Sequence, residues 1–176
     1  MPEVDEPLLD GGAGERPADE APGTRTGERI RRLAESQLYG VLCTQGEGQP
    51  YGSMVAFAFT PDLGHAVFAT PKATRKYTLL RQCQNVALVV NNQTEFPRDM
   101  MKIEAFTATG RVREITDPEL LISPATRLRD RHPHLAGFIA APSTALFVID
   151  IVRFFHVHAF QEVRQWVPSG APGASS

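Results

Sequence analysis

Between residues 26 and 167 the apolar positions change period several times, and each change marks an element. Ile30, Leu33, Ala34 and Leu38 recur three or four residues apart, which predicts an amphipathic helix over residues 27–38 with Arg29, Arg31, Arg32 and Glu35 on its polar face. Beyond it, residues 39–45, 51–60 and 65–70 are alternating, aromatic or β-branched runs. Gly46-Glu47-Gly48-Gln49-Pro50 and Pro61-Asp62-Leu63-Gly64 separate them, and both are turn sequences, so a three-stranded antiparallel meander is expected. Residues 73–83 return to helical spacing, with Tyr77, Leu80 and beside them Leu79 facing inward. A strand follows at 86–91, and a longer alternating run at 103–115 carries Gly110 near its middle, a place for a bulge where the sheet bends. Asp117-Pro118-Glu119 opens a helical region through Arg131, since Asp caps and proline fits the first turn. Residues 145–158 read as a last long strand, which 160–167 is expected to continue. Six antiparallel strands with two or three helices outside them give a mainly β fold of the α+β class, a small six-stranded barrel.

A length of 176 residues, 42% hydrophobic and 22% charged, suits one globular domain. Its ends differ from its middle. Residues 1–24 are rich in Gly, Pro, Asp and Glu, so a disordered acidic tail is expected there, and 168–176, all Pro, Gly, Ala and Ser, read the same way. That leaves 25–167 as the folded domain. Seven acids against Arg16 give the first 24 residues a charge of −6, and since the whole chain carries −2 the other 152 residues carry +4. A mildly basic domain suits a small anionic ligand and lacks the basic stripe of a nucleic-acid binder. No apolar stretch reaches the roughly 18 residues of a membrane span, and the acidic start is unlike a signal peptide, so a cytoplasmic protein is expected. Cys43 and Cys83 sit in apolar surroundings and read as buried free thiols.

Candidate chemistry concentrates in Thr70-Pro71-Lys72-Ala73-Thr74-Arg75-Lys76, where a strand ends and a helix begins. Helix N-termini carry unpaired N–H groups and partial positive charge and disfavour Lys and Arg. Three cations at that end, with no acid between Gly64 and Gln93, are accounted for by a bound phosphate-like dianion, with Thr74 donating a hydroxyl; a solvated basic turn is the alternative. In the preceding strand Gly52, Met54, Ala56 and Ala58 share one face and Ser53, Val55, Phe57 and Phe59 the other. The small first set offers low relief to a planar ligand, or equally to a packed helix.

In order, the helix, Tyr-Gly-Val-Leu-Cys-Thr (39–44), Pro-Tyr-Gly-Ser-Met-Val-Ala-Phe (50–57), His-Ala-Val-Phe-Ala-Thr-Pro-Lys-Ala-Thr-Arg-Lys-Tyr (65–77) and Asn-Val-Ala-Leu-Val-Val-Asn-Asn (85–92) resemble the FMN-binding split-barrel proteins related to pyridoxamine 5′-phosphate oxidase. The resemblance covers residues 28–115 and, more loosely, 143–166. It implies a homodimeric split barrel with FMN sites at the subunit interface and a small-molecule substrate. It maps the FMN phosphate to Thr74, Arg75 and Lys76, with Thr70 and Lys72 beside them, and the isoalloxazine to the backbone of Ser53, Met54 and Val55. Lys102 and Trp166 are the positions through which a partner subunit would close the site.

The chain also departs from the vitamin B6 oxidases, which carry a late Arg-x-His motif and end in Arg-Leu-x-Pro; here Glu162-Val163-Arg164-Gln165-Trp166-Val167-Pro168 has neither. A related flavin-dependent oxidoreductase is therefore the expectation, with a non-catalytic flavin carrier or sensor, a haem-handling relative and a deazaflavin-using relative as alternatives. His132-x-His134 and His156-x-His158 fall short of a metal site, since two ligands do not make one, and read as exposed or interface histidines. No nucleophile elbow, His-Glu-x-x-His or glycine-rich phosphate loop is present, and no catalytic residue is assigned: in flavin chemistry the cofactor carries the electrons.

Overall fold

The computed structural model describes residues 25–159 and 162–169. The tail expected at 1–24 and most of that expected at 168–176 lie outside them. Helix α1 (Arg25–Ser36) leads into β1 (Tyr39–Gly46), β2 (Gln49–Phe59) and β3 (His65–Pro71); α2 (Arg75–Gln82), β4 (Asn85–Asn91) and β5 (Ala105–Glu114) follow. The chain then runs through α3 (Pro118–Arg131) and the short α4 (Ala136–Ala140) to β6 (Thr144–His158) and β7 (Glu162–Trp166).

All strand pairings are antiparallel, in the order β3-β2-β1-β4-β5-β6-β7, and β3 also pairs with β6. That last pairing closes β1 to β6 into a six-stranded barrel with the helices around it. The 15-residue β6 makes the closure possible, because Thr144–Asp150 pair with β3 while Phe154–His158 pair with β7. Contrary to the sequence reading, β7 does not prolong β6: the chain reverses and β7 returns along it as a hairpin.

The β1–β2 turn holds Glu47 and Gly48 at φ 55° and 76°, the left-handed pair that a two-residue hairpin requires. The register of β5 against β6 shifts between Thr109 and Gly110, where a side chain would stand 2.4 Å from the Asp150 carbonyl oxygen. Gly110 thus permits the bulge that bends the sheet.

Alternation along β2 and β6 feeds two cores. Val55, Phe57, Phe68, Phe106, Phe147, Ile149 and Phe154 fill the barrel with Ile30 and Leu33 of α1, while Ala58, Val67, Leu146 and Val148 face outward beneath Leu128 of α3. Asp117 caps α3 through the Glu119 N–H at 2.9 Å, as its sequence implied. Helix α1 ends two residues earlier than expected, leaving Leu38 43% exposed outside it. At that end the Arg131 guanidinium donates to the carbonyls of Ala34, Glu35 and Gln37, tying α3 to the carbonyl-rich terminus of α1.

Candidate cofactor site

The strand-to-helix segment and β2, read separately from the sequence, meet through Lys76. Its ammonium donates to the Met54 carbonyl at 3.2 Å, and burial lowers its pKa. Arg75, exposed beside it, lies over the Tyr51 ring at 5.4 Å. Two cations of the first turn of α2 are therefore folded back over the strand assigned to a planar ring, and no acid occupies that turn.

The threonines have a more structural part than expected. Thr74 is the N-cap of α2: its hydroxyl accepts from the Tyr77 N–H at 3.3 Å and donates to the Pro71 carbonyl at 2.9 Å. Thr70, fully buried, has its hydroxyl oxygen 3.1 Å from that of Thr74. The hydroxyl hydrogen offered to a phosphate in the sequence reading is thus already directed at Pro71, and the hydroxyl oxygen caps the Tyr77 N–H. Lys72 points away, donating to the Pro142 carbonyl at 3.1 Å.

On β2 Met54 is 70% exposed and Val55 is buried. The Ser53 hydroxyl is buried without a hydrogen-bond partner among the described residues and lies on the strand face of Val55 and Phe57, opposite Met54. Met54, Val55 and Ala56 floor a cavity of about 390 Å³ that also reaches Lys76. Its roof is Leu128, Leu135, Phe138 and Ile139, with Tyr39 at the side. The sequence reading missed these roof residues: Ala136-Gly137-Phe138-Ile139-Ala140 is too short to show a helical period, and only the path from α3 into β6 lays it over β2. The residues present fit a phosphorylated, planar cofactor, with Lys76 on the lining, Arg75 beside it on the first turn of α2 and low relief along the floor.

Lys102 and Trp166 stand apart from this cavity within the chain. Lys102 pairs with Asp99 at 3.2 Å and lines a separate cavity with Arg29, Glu104 and His158. Trp166, 2% exposed, packs on Phe154 with ring centroids 5.6 Å apart and over Gly27, where a β-carbon would stand 2.7 Å from the indole. Within the chain it packs α1 against the barrel and is not among the residues lining this cavity.

Of the four paired histidines His134 is exposed and His158 half-buried, but His132 and His156 are fully buried, contrary to the sequence reading. The His132 Nε2–H donates to the Phe57 carbonyl at 2.9 Å and that of His156 to Glu104 at 3.1 Å, while both Nδ1 atoms lack partners among the described residues. Burial lowers both imidazole pKa values, which keeps them neutral. Burial alone would raise the Glu104 pKa, but hydrogen bonds from Arg29 and His156 bring it below the ordinary value. The rings of His156 and His158 lie 5.5 Å apart on one face. No group of three or more His, Cys, Asp or Glu able to hold a metal forms among the described residues. Cys43 and Cys83 are half-buried, less enclosed than expected, and burial raises the Cys43 pKa. No described helix is long and apolar enough to cross a membrane.

A family model described as "Pyridoxamine 5′-phosphate oxidase" matches residues 26–158. No curated protein matches the sequence. Among solved structures, a haem-binding protein from Mycobacterium smegmatis superposes with a TM-score of 0.70 at 18% identity, over 80% of this chain and 57% of that one. The chain thus spans little more than half the length of that protein. HutZ, a haem storage protein from Vibrio cholerae, gives 0.64 at 13% identity, over 84% and 98% of the two chains. A FAD-binding protein from Mesorhizobium loti gives 0.59 at 15%, over 73% and 91%. At these identities the likeness concerns the fold.

Proposed function

Since the chain belongs to the pyridoxamine 5′-phosphate oxidase family over residues 26–158, we propose that it binds FMN and acts as a flavin-dependent oxidoreductase on a small molecule. The observation that carries the reading is the Lys76 bridge to Met54, which joins a cationic helix start to a strand of low relief beneath a cavity. FMN, when bound, supplies a ring that accepts and returns two electrons. Arg75 and Lys76 hold the phosphate, the α2 N–H groups that the Thr74 cap leaves free share its charge, and the backbone of Ser53, Met54 and Val55 supports the ring. The roof of α3 and α4 keeps water from the ring's surroundings.

The working unit in this reading is a cytoplasmic homodimer with its cofactor sites at the subunit interface. Tyr39, Val41 and Met54 are large apolar side chains left 46%, 38% and 70% exposed on adjoining strands, where Val41 pairs with Met54. They form an apolar strip beside the cavity that a second copy would cover. Lys102, 65% exposed, keeps its assignment as a residue reaching the partner's site.

Haem is the second reading, favoured by the two haem proteins among the structural neighbours. His132 and His156 are fully buried with their Nε2–H groups directed at protein acceptors, whereas His65, His134 and His158 keep part of their rings exposed, so these three would be the residues to hold a haem iron. The absorbance spectrum of the protein purified from cells, followed by denaturation and identification of the released chromophore, tests both. Released FMN is expected. A Soret band, or no chromophore even after addition of FMN, refutes the flavin assignment.

A further inference from the structure

A second cavity, of about 560 Å³, lies between α1 and the loop from β4 to β5 and shares no lining residue with the cavity over β2. Leu33, Phe96 and Met101 give it an apolar part, where Met101 is left 61% exposed. Its charged groups are unevenly engaged. The Glu104 carboxylate accepts two hydrogen bonds from Arg29 and one from His156, and Glu95 accepts one from the Gln37 amide. Lys102 pairs with Asp99, whereas Arg32, exposed on the lining, has no hydrogen bond or ion pair among the described residues. A groove whose own acids are satisfied and which keeps one cation unpaired suits an anionic stretch of chain bearing a few large apolar side chains.

Residues 1–24, outside the described residues, have that chemistry. Their large apolar side chains are Met1, Val4, Leu8 and Leu9, and the last three stand among Glu3, Asp5, Glu6 and Asp10. From Gly11 to Thr24 there follow only Gly, Ala, Pro, Thr and charged residues, the composition of a tether. It joins the domain at Arg25, the first residue of the helix whose Arg29, Arg32 and Leu33 line the cavity. The 16 residues from Asp10 to Arg25 span about 20–24 Å as a flexible linker, and α1 is about 18 Å long, so the whole cavity is within reach. A tether of that length presents the segment at an effective concentration on the order of millimolar, and contacts too weak to hold a free peptide then suffice.

We propose that residues 3–10 dock in this cavity in the intact chain, with Leu8 and Leu9 covering Phe96 and Met101 and the neighbouring carboxylates meeting Arg32. The docking stands apart from the flavin reading: of the residues assigned to FMN the cavity holds only Lys102, and Arg32 supplies the charge.

The test uses the full-length protein and an endoprotease that cuts before aspartate. Cleavage at Leu9–Asp10, inside the segment, is compared with cleavage at Ala18–Asp19 in the tether, each rate normalised to the same bond in a synthetic peptide of residues 1–24. Leu9–Asp10 is expected to be cut at least about fivefold more slowly. Arg32→Glu, Met101→Asp and, by screening, about 0.5 M NaCl should each bring the two rates to within about twofold of one another. Absence of cleavage before Asp62 and Asp150 reports that a variant is folded. Equal normalised rates in the wild type overturn the proposal, as does protection unchanged by salt or by either substitution in a folded protein. Protection that rises with protein concentration also overturns it, by assigning the cavity to the segment of a second copy.

Discussion

Replacing Arg75 and Lys76 together by alanine removes both side-chain cations from the first turn of α2 and leaves its Thr74 cap in place. Charge-assisted hydrogen bonds contribute about 1.5–3 kcal/mol each. The structure argues for the lower end. Arg75 is exposed, and Lys76 must give up its bond to the Met54 carbonyl before it can serve a phosphate. Two contacts at about 1.5 kcal/mol total about 3 kcal/mol, and since a tenfold change corresponds to about 1.4 kcal/mol, FMN affinity should fall at least about a hundredfold. Titration of FMN fluorescence quenching measures it, with riboflavin as the decisive comparison: lacking the phosphate, it should bind the wild type and the double variant nearly equally. The cradle is refuted if FMN affinity is unchanged, or if riboflavin loses as much as FMN. Lys72→Ala, which removes a side chain directed at Pro142, should change FMN affinity little.

Gly110→Ala puts a methyl group 2.4 Å from the Asp150 carbonyl oxygen and should destabilise the barrel by about 1–3 kcal/mol in urea denaturation; an unchanged midpoint would show that the strands part freely there. Arg131→Met strips a charged donor from three carbonyls at the end of α1 and should cost about 1–3 kcal/mol by the same assay, with no loss meaning that water replaces it fully. His132 and His156 are held below their ordinary value of 6.5, so below that pH the unfolded chain binds protons that the folded one refuses and stability is lost as pH falls. Glu104, held below 4.5, extends the loss to lower pH in the same direction. The melting temperature should therefore drop between pH 8 and pH 5.5, and a flat profile over that range would contradict the buried neutral imidazoles.

Much of the barrel is written locally. The turn at Glu47-Gly48, the cap at Asp117, the bulge at Gly110 and the alternation of β2 each follow from short-range stereochemistry, and all four are seen. The basic cluster at Lys72, Arg75 and Lys76 was equally legible, because cations at a helix start work against its dipole. What the sequence alone could not determine is which atoms these groups face. Lys72 and Lys76 look alike in the chain, yet one turns to Pro142 and the other to Met54, a choice made by the packing of α2 against the barrel. Trp166 reads as a ligand contact and His156 as an exposed or interface residue, but β7 folds back on β6 and both are buried, since a hairpin's direction depends on its partner strand as well as its own pattern. The cavity roof belongs wholly to the tertiary structure. Five residues of α4 carry too little period to be read, and their proximity to β2 arises only when β6 closes the barrel against β3 and brings the segment before it across the outer face.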